Sequence, residues 1–129
     1  MYNLFLDDIR IPDDVLKYWD NPIYESSTQW VIVRNYDQFV KAITEQGIPE
    51  MISFDHDLGP EHYFHQENIS YDQFTEKTGF HCAKWFINYC IDNNKEVTKL
   101  IYVHSMNPVG SKNILSLFTA YQKSINDSK

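Results

Sequence analysis

The sequence predicts an α/β protein in which helices cover both faces of an open parallel sheet of about four strands. Four short apolar segments alternate with segments of helical periodicity along the 129 residues, a pattern typical of parallel strands joined by helices. The apolar segments are nearly continuous, as expected for strands that are buried on both faces. A chain of this length builds one hydrophobic core, so we expect a single domain over residues 1–129.

The predicted strands are rich in β-branched and aromatic residues, which pack well in a sheet. They span residues 2–6, 30–34, 50–55 and 99–104. The connection from the first strand to the second, residues 9–29, contains Pro12 and Pro22. Because proline interrupts regular hydrogen bonding, we expect only a short helix or turn there, at residues 15–19.

Three longer helices are predicted from apolar spacing and from the residues at their ends. Asn35 is the expected N-cap of the first helix, Gln38 occupies the capping-box position, and Gly47 lies at the C-terminal end. The second helix covers residues 79–94, and the third covers residues 108–125.

Two segments lack a helix or strand pattern. Residues 56–78 form a long polar loop rich in His, Glu, Asp and Tyr, and a loop of this length in a small domain is usually functional or mobile. His62 and His65 lie in this loop, where we expect them to be solvated surface residues rather than metal ligands. Residues 126–129 are expected to fray.

Charge and composition exclude several classes of partner. The net charge of −7 gives no electrostatic footprint for duplex nucleic acid. No apolar run approaches the ~20 residues of a membrane span, and the N-terminus has no signal-peptide pattern. Cys82 and Cys90 lie eight positions apart on one predicted helix, too far apart for a disulfide. We therefore expect free thiols, a cytoplasmic location and no membrane partner, whereas the oligomeric state stays open.

Titratable and hydroxyl side chains follow the predicted strands at the point where each strand ends. Right-handed crossovers place the carboxyl ends of parallel strands at one edge of the sheet, which is where open α/β sheets bind their ligands. The side chains expected at this edge are Asp7, Asp8, Arg34, Asn35, Asp55, His56, Asp57, His104 and Ser105.

The carboxylates at this edge indicate a cation site. Asp7, Asp8 and Asp55 repel one another unless a proton or a cation lies between them, and oxygen ligands of this kind suit Mg²⁺. In the alternative interpretation, one or two of these acids cap helices or bind Arg10. Asp57 fits two roles equally well, contacting a ligand or starting the long loop.

The histidines are candidates for proton transfer. His56 and His104 end separate strands, and two imidazoles that face one phosphate can act as general base and general acid. His81 begins a helix and is a weaker candidate for the same cleft. The alternative is that each ring is structural and is hydrogen-bonded to a neighbour.

The turn into the last helix is a candidate anion site, because free N–H groups and the helix dipole attract negative charge there. Asn107 is also the expected N-cap of that helix. Arg10 and Arg34 either clamp a phosphate or neutralise the aspartates, and the sequence favours neither interpretation. The candidate phosphate-binding residues are Ser105, Asn107, Gly110, Arg10, Arg34 and Lys112.

These motifs resemble the cyclic-phosphate processing receiver-like domain, a divergent relative of the phospho-acceptor receiver domains of two-component signalling. The matching stretches are LFLDDIRIP, WVIVRNYDQF, ISFDHDLG, TGFHCAKW and VHSMNPVG. The resemblance implies a flavodoxin-like, three-layer α/β/α fold. It also implies a role in recognising or processing cyclic phosphates of nucleotides or of RNA ends.

The resemblance assigns roles to individual positions. Asp7 and Asp8 match the metal-binding acid pair of receivers, Asp55 matches the phospho-acceptor, and Ser105 matches the small hydroxyl residue that ends the fourth strand. No fifth strand with the phosphate-contacting lysine of receivers is found, because the last predicted helix reaches the end of the sequence. This departure argues against a phosphorylation switch.

Three hypotheses follow from these assignments. The leading one is a phosphoesterase-like enzyme that acts on a small-molecule or RNA-terminal phosphate ester. In it, His56 and His104 exchange protons, and Asp7, Asp8 and Asp55 hold Mg²⁺ or orient the imidazoles. The alternative is a receiver-like module that is phosphorylated on Asp55 or binds a nucleotide without turnover. The third is an adaptor that keeps the cleft as a relic.

Overall fold

A computed structural model describes residues 2–58 and 77–127, and within them it contains one four-stranded sheet in which all strands are parallel. The strands are β1 (Asn3–Leu6), β2 (Val31–Val33), β3 (Met51–Phe54) and β4 (Leu100–Val103). Their order across the sheet is β2-β1-β3-β4. The predicted receiver-like, flavodoxin-like α/β fold is confirmed.

The helices lie close to their predicted positions. They are α1 (Pro12–Val15), α2 (Tyr36–Gln46), α3 (Gly79–Asp92) and α4 (Pro108–Asp127), and a 3-10 turn forms at Pro22–Tyr24. The short first helix precedes the predicted segment because Pro12 starts it, and residues 16–18 form a turn. The last helix reaches Asp127, two residues into the segment that we expected to fray.

Two predicted regions fall partly outside the described residues. Most of the polar loop at 56–78, with His62 and His65, lies outside them, as do residues 128 and 129.

The ends of α2 form as the sequence predicts, with one change. The Asn35 side chain accepts a hydrogen bond from the N–H of Gln38 at 2.9 Å, and Gly47 has the positive φ of 91° that favours glycine. The Gln38 side chain accepts instead from the N–H of Arg34 at 2.8 Å. Gln38 therefore ties the helix to the end of β2.

Alternation along the strands divides the core between the two faces of the sheet. One face packs under α2, α3 and α4, and the other packs under α1 and the 3-10 turn. Strand residues of the first face are Leu4, Leu6, Ile52 and Phe54, and the second face has Phe5 as its fully buried centre, packed with Val15 and Tyr24. Both faces are covered, as predicted.

The parallel register continues one residue beyond the strands and creates a row of polar residues. The N–H of Asp55 donates to the carbonyl of Leu6 at 2.9 Å, and the N–H of His104 donates to the carbonyl of Phe54 at 2.9 Å. Asp7, Asp55 and His104 therefore lie side by side, on the face that Phe5 occupies. The residue beside Asp55 on the next strand is thus His104, and Ser105 lies one position further on.

Two further features concern the cysteines and the apolarity of the helices. Cys82 and Cys90 are buried free thiols in α3. No helix in the described part of the chain combines the length and apolarity that crossing a bilayer requires.

We predict that Gly79→Ala destabilises the fold by ~1–3 kcal/mol, because overpacking at a close contact is costly. A Cβ atom at Gly79 would lie 1.8 Å from the backbone oxygen of Asp55. Urea unfolding monitored by circular dichroism measures the change, with Lys84→Ala on the exposed face of α3 as the control. Equal stability of Gly79→Ala and the parent protein would contradict the prediction.

Candidate functional site

A pocket of about 350 Å³ lies at the carboxyl edge of the sheet, between the turn after β1 and the start of α4. The described residues that line it are Arg10, Asp55, Asp57, Ser105, Met106, Asn107 and Pro108. Five of these are polar or charged residues that the sequence analysis named as candidates for the site. The pocket combines one guanidinium, two carboxylates, a hydroxyl and an amide.

Asp55 is the buried carboxyl group at the base of this pocket, with 2% of its surface exposed. One oxygen accepts a hydrogen bond from the N–H of His56 at 2.9 Å, and the other has no hydrogen bond within the described residues. Burial, and next the negative charge of Asp7, raise the pKa of Asp55 to about 8, although Arg10 opposes the shift. At neutral pH the group therefore holds a proton unless a cation replaces it.

Asp7 differs from Asp55 because its carboxylate is fully hydrogen-bonded. One oxygen accepts from the N–H groups of Ile9 and Arg10 at 2.9 and 2.8 Å, and the other lies 3.0 Å from Nε2 of His104. Burial by itself raises the pKa of Asp7, but the bonds from His104, Arg10 and Ile9 outweigh it and lower the pKa. Asp7 is therefore ionised and holds the turn that carries Arg10.

His104 is the centre of a buried chain of hydrogen bonds. Its Nδ1 lies 2.6 Å from the hydroxyl of Ser53, which lies 2.6 Å from the hydroxyl of Tyr24. The ring stacks on Phe5 with a centroid distance of 4.4 Å. Burial lowers the pKa of His104 more than Asp7 raises it. A neutral ring with its proton on Nε2 donates to Asp7 and accepts from Ser53, so every polar atom of the chain is satisfied.

His56 points to the opposite face of the sheet. It follows Asp55 by one residue, so alternation turns its side chain towards α4, where a Cβ at Gly110 would lie 2.3 Å from the imidazole Cγ. Its Nδ1 lies 2.8 Å from the carboxylate of Asp57, and the ring is fully buried.

The two imidazoles therefore do not meet. His56 and His104 contact different aspartates on different faces, and neither ring is among the described residues that line the pocket. The expectation that both rings flank one phosphate is not met, because the pleat of the sheet separates them. Each histidine instead holds an aspartate in place.

The turn into α4 is arranged by Asn107. Its side-chain oxygen accepts from the N–H of Gly110 at 3.0 Å, which confirms the N-cap, and its Nδ2 donates to Asp57 at 3.3 Å. The hydroxyl of Ser105 accepts from the N–H of Asn107 at 3.1 Å. Gly110 is buried against His56, and Lys112 is exposed, so neither of these predicted phosphate ligands lines the pocket.

The two arginines have different positions. Arg10 lines the pocket, with its Nη1 3.7 Å from Asp7 and its guanidinium over the ring of Tyr18. Arg34 donates from Nη1 to the carbonyls of Asp7 and Arg10 at 3.1 and 2.7 Å. Arg34 thus holds the backbone of the turn, and Arg10 is the guanidinium that can meet a ligand.

Two further predicted residues are not among the described residues that line the pocket. Asp8 is half-buried, and its charge adds to the rise in the pKa of Asp55. The Nδ1 of His81 accepts from the N–H of Thr78 at 2.9 Å, so His81 closes a capping box at the start of α3. The Nδ1 atom of its ring is therefore used to cap the helix.

Four residues of the site were not among the sequence candidates. Ser53 and Tyr24 extend the chain from His104, the Tyr18 hydroxyl donates to the carbonyl of His104 at 2.5 Å, and Met106 lies at the pocket. Ser53 had a usable signal, because it lies two residues before Asp55 and so on the same face. The tyrosines come from the irregular connection after β1, where no pattern places them.

Three groups that could serve as cation ligands cluster at this edge of the sheet, and the set differs from the predicted one. Ligand atoms of Asp7, Asp55 and His104 all lie within 4.8 Å of one another. Of the three, only Asp55 has an oxygen without a hydrogen bond in the described part of the chain, because both oxygens of Asp7 and both ring nitrogens of His104 are already hydrogen-bonded. Among the described residues, the third member of this cluster is His104, where we expected Asp8.

Comparison with known proteins identifies one family. The profile of the cyclic-phosphate processing receiver domain matches residues 2–120. No curated protein and no solved structure matches the chain.

We predict that Asp55→Asn changes how stability depends on pH. The folded carboxyl binds a proton up to a pH of about 8, whereas the unfolded carboxyl loses it near pH 4. The parent protein should therefore lose stability as pH rises through this window. Asparagine keeps the acceptor for the N–H of His56 and removes the titration.

Thermal unfolding at pH 5 and pH 9 measures the effect. We expect the free energy of unfolding of Asp55→Asn, measured relative to that of the parent, to rise by on the order of 1 kcal/mol or more from pH 5 to pH 9. Asp13→Asn, at an exposed acid of α1, is the control and should leave the profile unchanged. Parallel profiles for the parent and Asp55→Asn would refute the buried protonated carboxyl.

Proposed function

Because the chain belongs to the cyclic-phosphate processing receiver domain family, we propose that it hydrolyses a cyclic phosphate ester of a nucleotide or an RNA end. The observation that carries this proposal is the composition of the pocket. It places the guanidinium of Arg10 and the hydroxyl of Ser105 beside the carboxyl groups of Asp55 and Asp57. These are the groups needed to bind a phosphate and to move protons around it.

Arg10 and the start of α4 bind the phosphate in this proposal. A guanidinium makes strong charge-assisted hydrogen bonds to phosphate oxygens, and the N-terminal end of a helix attracts an anion. The Ser105 hydroxyl adds a donor on the same side of the pocket. Arg10 is held in place by Asp7 and by the ring of Tyr18, so little side-chain freedom is lost when the ligand binds.

Asp57 and Asp55 act as the base and the acid. Asp57 is oriented by His56 and Asn107, and its second oxygen has no hydrogen bond within the described residues. It takes a proton from the attacking water as the new bond to phosphorus forms. Asp55, protonated up to a pH of about 8, gives its proton to the ester oxygen that leaves. The histidines then act by positioning carboxyl groups.

A divalent cation, in place of the proton on Asp55, is the alternative way to neutralise the carboxylates of Asp7 and Asp55. Asp7, Asp55 and His104 would hold it if the hydrogen bond between Nε2 of His104 and Asp7 gave way to bonds to the ion, and Mg²⁺ was the expected ion. When bound, such an ion stabilises negative charge on the phosphate oxygens. Asp55 would then be a ligand and not the acid, so the two cases differ in their response to a chelator.

Hydrolysis of 2′,3′-cyclic AMP, followed by chromatography of the nucleoside monophosphate product, tests the proposal. We expect Arg10→Met to raise KM and Asp57→Asn to lower kcat by roughly 100-fold, the usual range for loss of an acid or base group. Lys84→Ala, at an exposed position of α3, is the control. Absence of turnover in the parent protein, with and without Mg²⁺, would overturn the proposal.

The pH dependence of kcat distinguishes Asp55 as a protonated general acid from Asp55 as a ligand of a divalent cation. With Asp55 as the acid, kcat should fall as pH rises through about 8, because the proton is lost there. The rate should also resist a chelator. A rate that disappears with the chelator and returns with Mg²⁺ would instead assign Asp55 to the cation.

One observation favours a second function, phosphorylation of Asp55. Its unpartnered oxygen lies at the pocket, as a phospho-acceptor requires. No lysine is among the pocket-lining residues in the described part of the chain, and a protonated carboxyl is a weak nucleophile. We therefore expect no mass increase after incubation with acetyl phosphate. A phosphoryl adduct that Asp55→Asn abolishes would favour the switch.

A further inference from the structure

A second groove, of about 630 Å³, lies between β4 and the C-terminal half of α4. It shares no described lining residue with the pocket at the carboxyl edge. On the strand side it is lined by Lys99 and Ile101, and on the helix side by Leu115, Phe118 and Thr119, among others. The groove therefore lies between α4 and the start of β4, together with the residues that lead into that strand.

The strand beside this groove has an unused edge in the described structure. β4 pairs with β3 on one side, and no described strand pairs with it on the other. Such an edge presents backbone N–H and carbonyl groups to any extended chain. Two apolar side chains are exposed close to it, with 47% of Leu100 and 45% of Leu115 accessible. An added strand would cover both backbone and apolar surface.

The charge of the groove is opposite to that of the whole protein. The described lining includes Lys99 and Lys123 and no carboxylate, although the chain carries a net charge of −7. The ion pair of Lys99 with Glu96, at 3.6 Å, is largely exposed and holds Lys99 only weakly. Two copies of the chain joined edge to edge would bring like charges together, so a second copy is disfavoured.

We propose that this groove binds an extended segment of a partner protein, with apolar side chains at alternate positions and carboxylates beside them. The segment adds a strand to β4, which is a common mode of peptide recognition. Its apolar side chains contact Ile101, Leu115 and Phe118, and its carboxylates meet Lys99 and Lys123. This interaction does not depend on the proposed hydrolysis.

Two synthetic peptides test the charge preference. Fluorescein-labelled EVTITVD and its basic counterpart KVTITVK are titrated with the full chain, and fluorescence anisotropy reports binding. We expect the acidic peptide to bind roughly tenfold more tightly than the basic one, and less tightly as salt is added. The double variant Lys99→Glu/Lys123→Glu should reverse the preference. Equal binding of the two peptides, or no binding of either, would overturn the proposal.

A matched pair of variants tests the position of the site. Leu115→Asp places a charge in the groove, whereas Ile91→Asp places one at a similarly exposed position of α3, where 55% of the isoleucine is accessible. We expect only Leu115→Asp to abolish binding, and circular dichroism checks that both variants fold. Loss of binding in both variants, or in neither, would contradict a site between β4 and α4.

Two measurements separate strand addition from other outcomes. The N–H of His104 points to β3, so by alternation the N–H groups of Ile101 and Val103 point to the open edge. Hydrogen exchange at these two amides should slow by roughly tenfold or more when the acidic peptide is bound, because new backbone bonds protect them. Unchanged exchange would overturn strand addition. Sedimentation velocity of the peptide-free protein should show a monomer. A dimer that Leu115→Asp dissociates would assign the groove to a second copy and overturn the proposal.

Discussion

The site depends on the register of three parallel strand ends. β1, β3 and β4 pair so that Asp7, Asp55 and His104 lie in one row facing one side of the sheet. Carboxyl groups held this closely in a buried position cannot all be charged. The structure resolves the conflict unequally, since Asp7 is hydrogen-bonded and ionised while Asp55 has a pKa of about 8.

The direction of side chains at the strand ends explains why neither histidine is among the described residues that line the pocket. His104 faces the side with Phe5 and completes a chain of hydrogen bonds that ends at the Tyr24 hydroxyl. His56 is one residue further along its strand, so it faces the other side and contacts Asp57. Buried imidazoles that each bind one carboxylate give the carboxyl groups fixed orientations. The proposed proton transfers therefore belong to Asp55 and Asp57.

The pocket and the groove use opposite parts of the same helix. The first turn of α4 closes the pocket through Asn107, and its second half forms the groove with β4. The pocket combines a guanidinium with two carboxyl groups, whereas the described groove residues carry charge only as lysine. A partner strand at β4 and a phosphate ester at the strand ends would thus occupy separate surfaces that one helix connects.

The sequence by itself determined the parallel α/β fold, the caps of α2 and α4, and the edge at which Arg10, Asp55, Asp57, Ser105 and Asn107 meet. These follow from local patterns, namely apolar periodicity, capping residues and the position of polar groups after strands. Only the tertiary structure decided the direction of His56 and His104, the backbone role of Arg34, and the part of Tyr18 and Tyr24. The direction of a side chain beyond a strand end depends on the pleat and on partners far along the chain, and no local pattern records either.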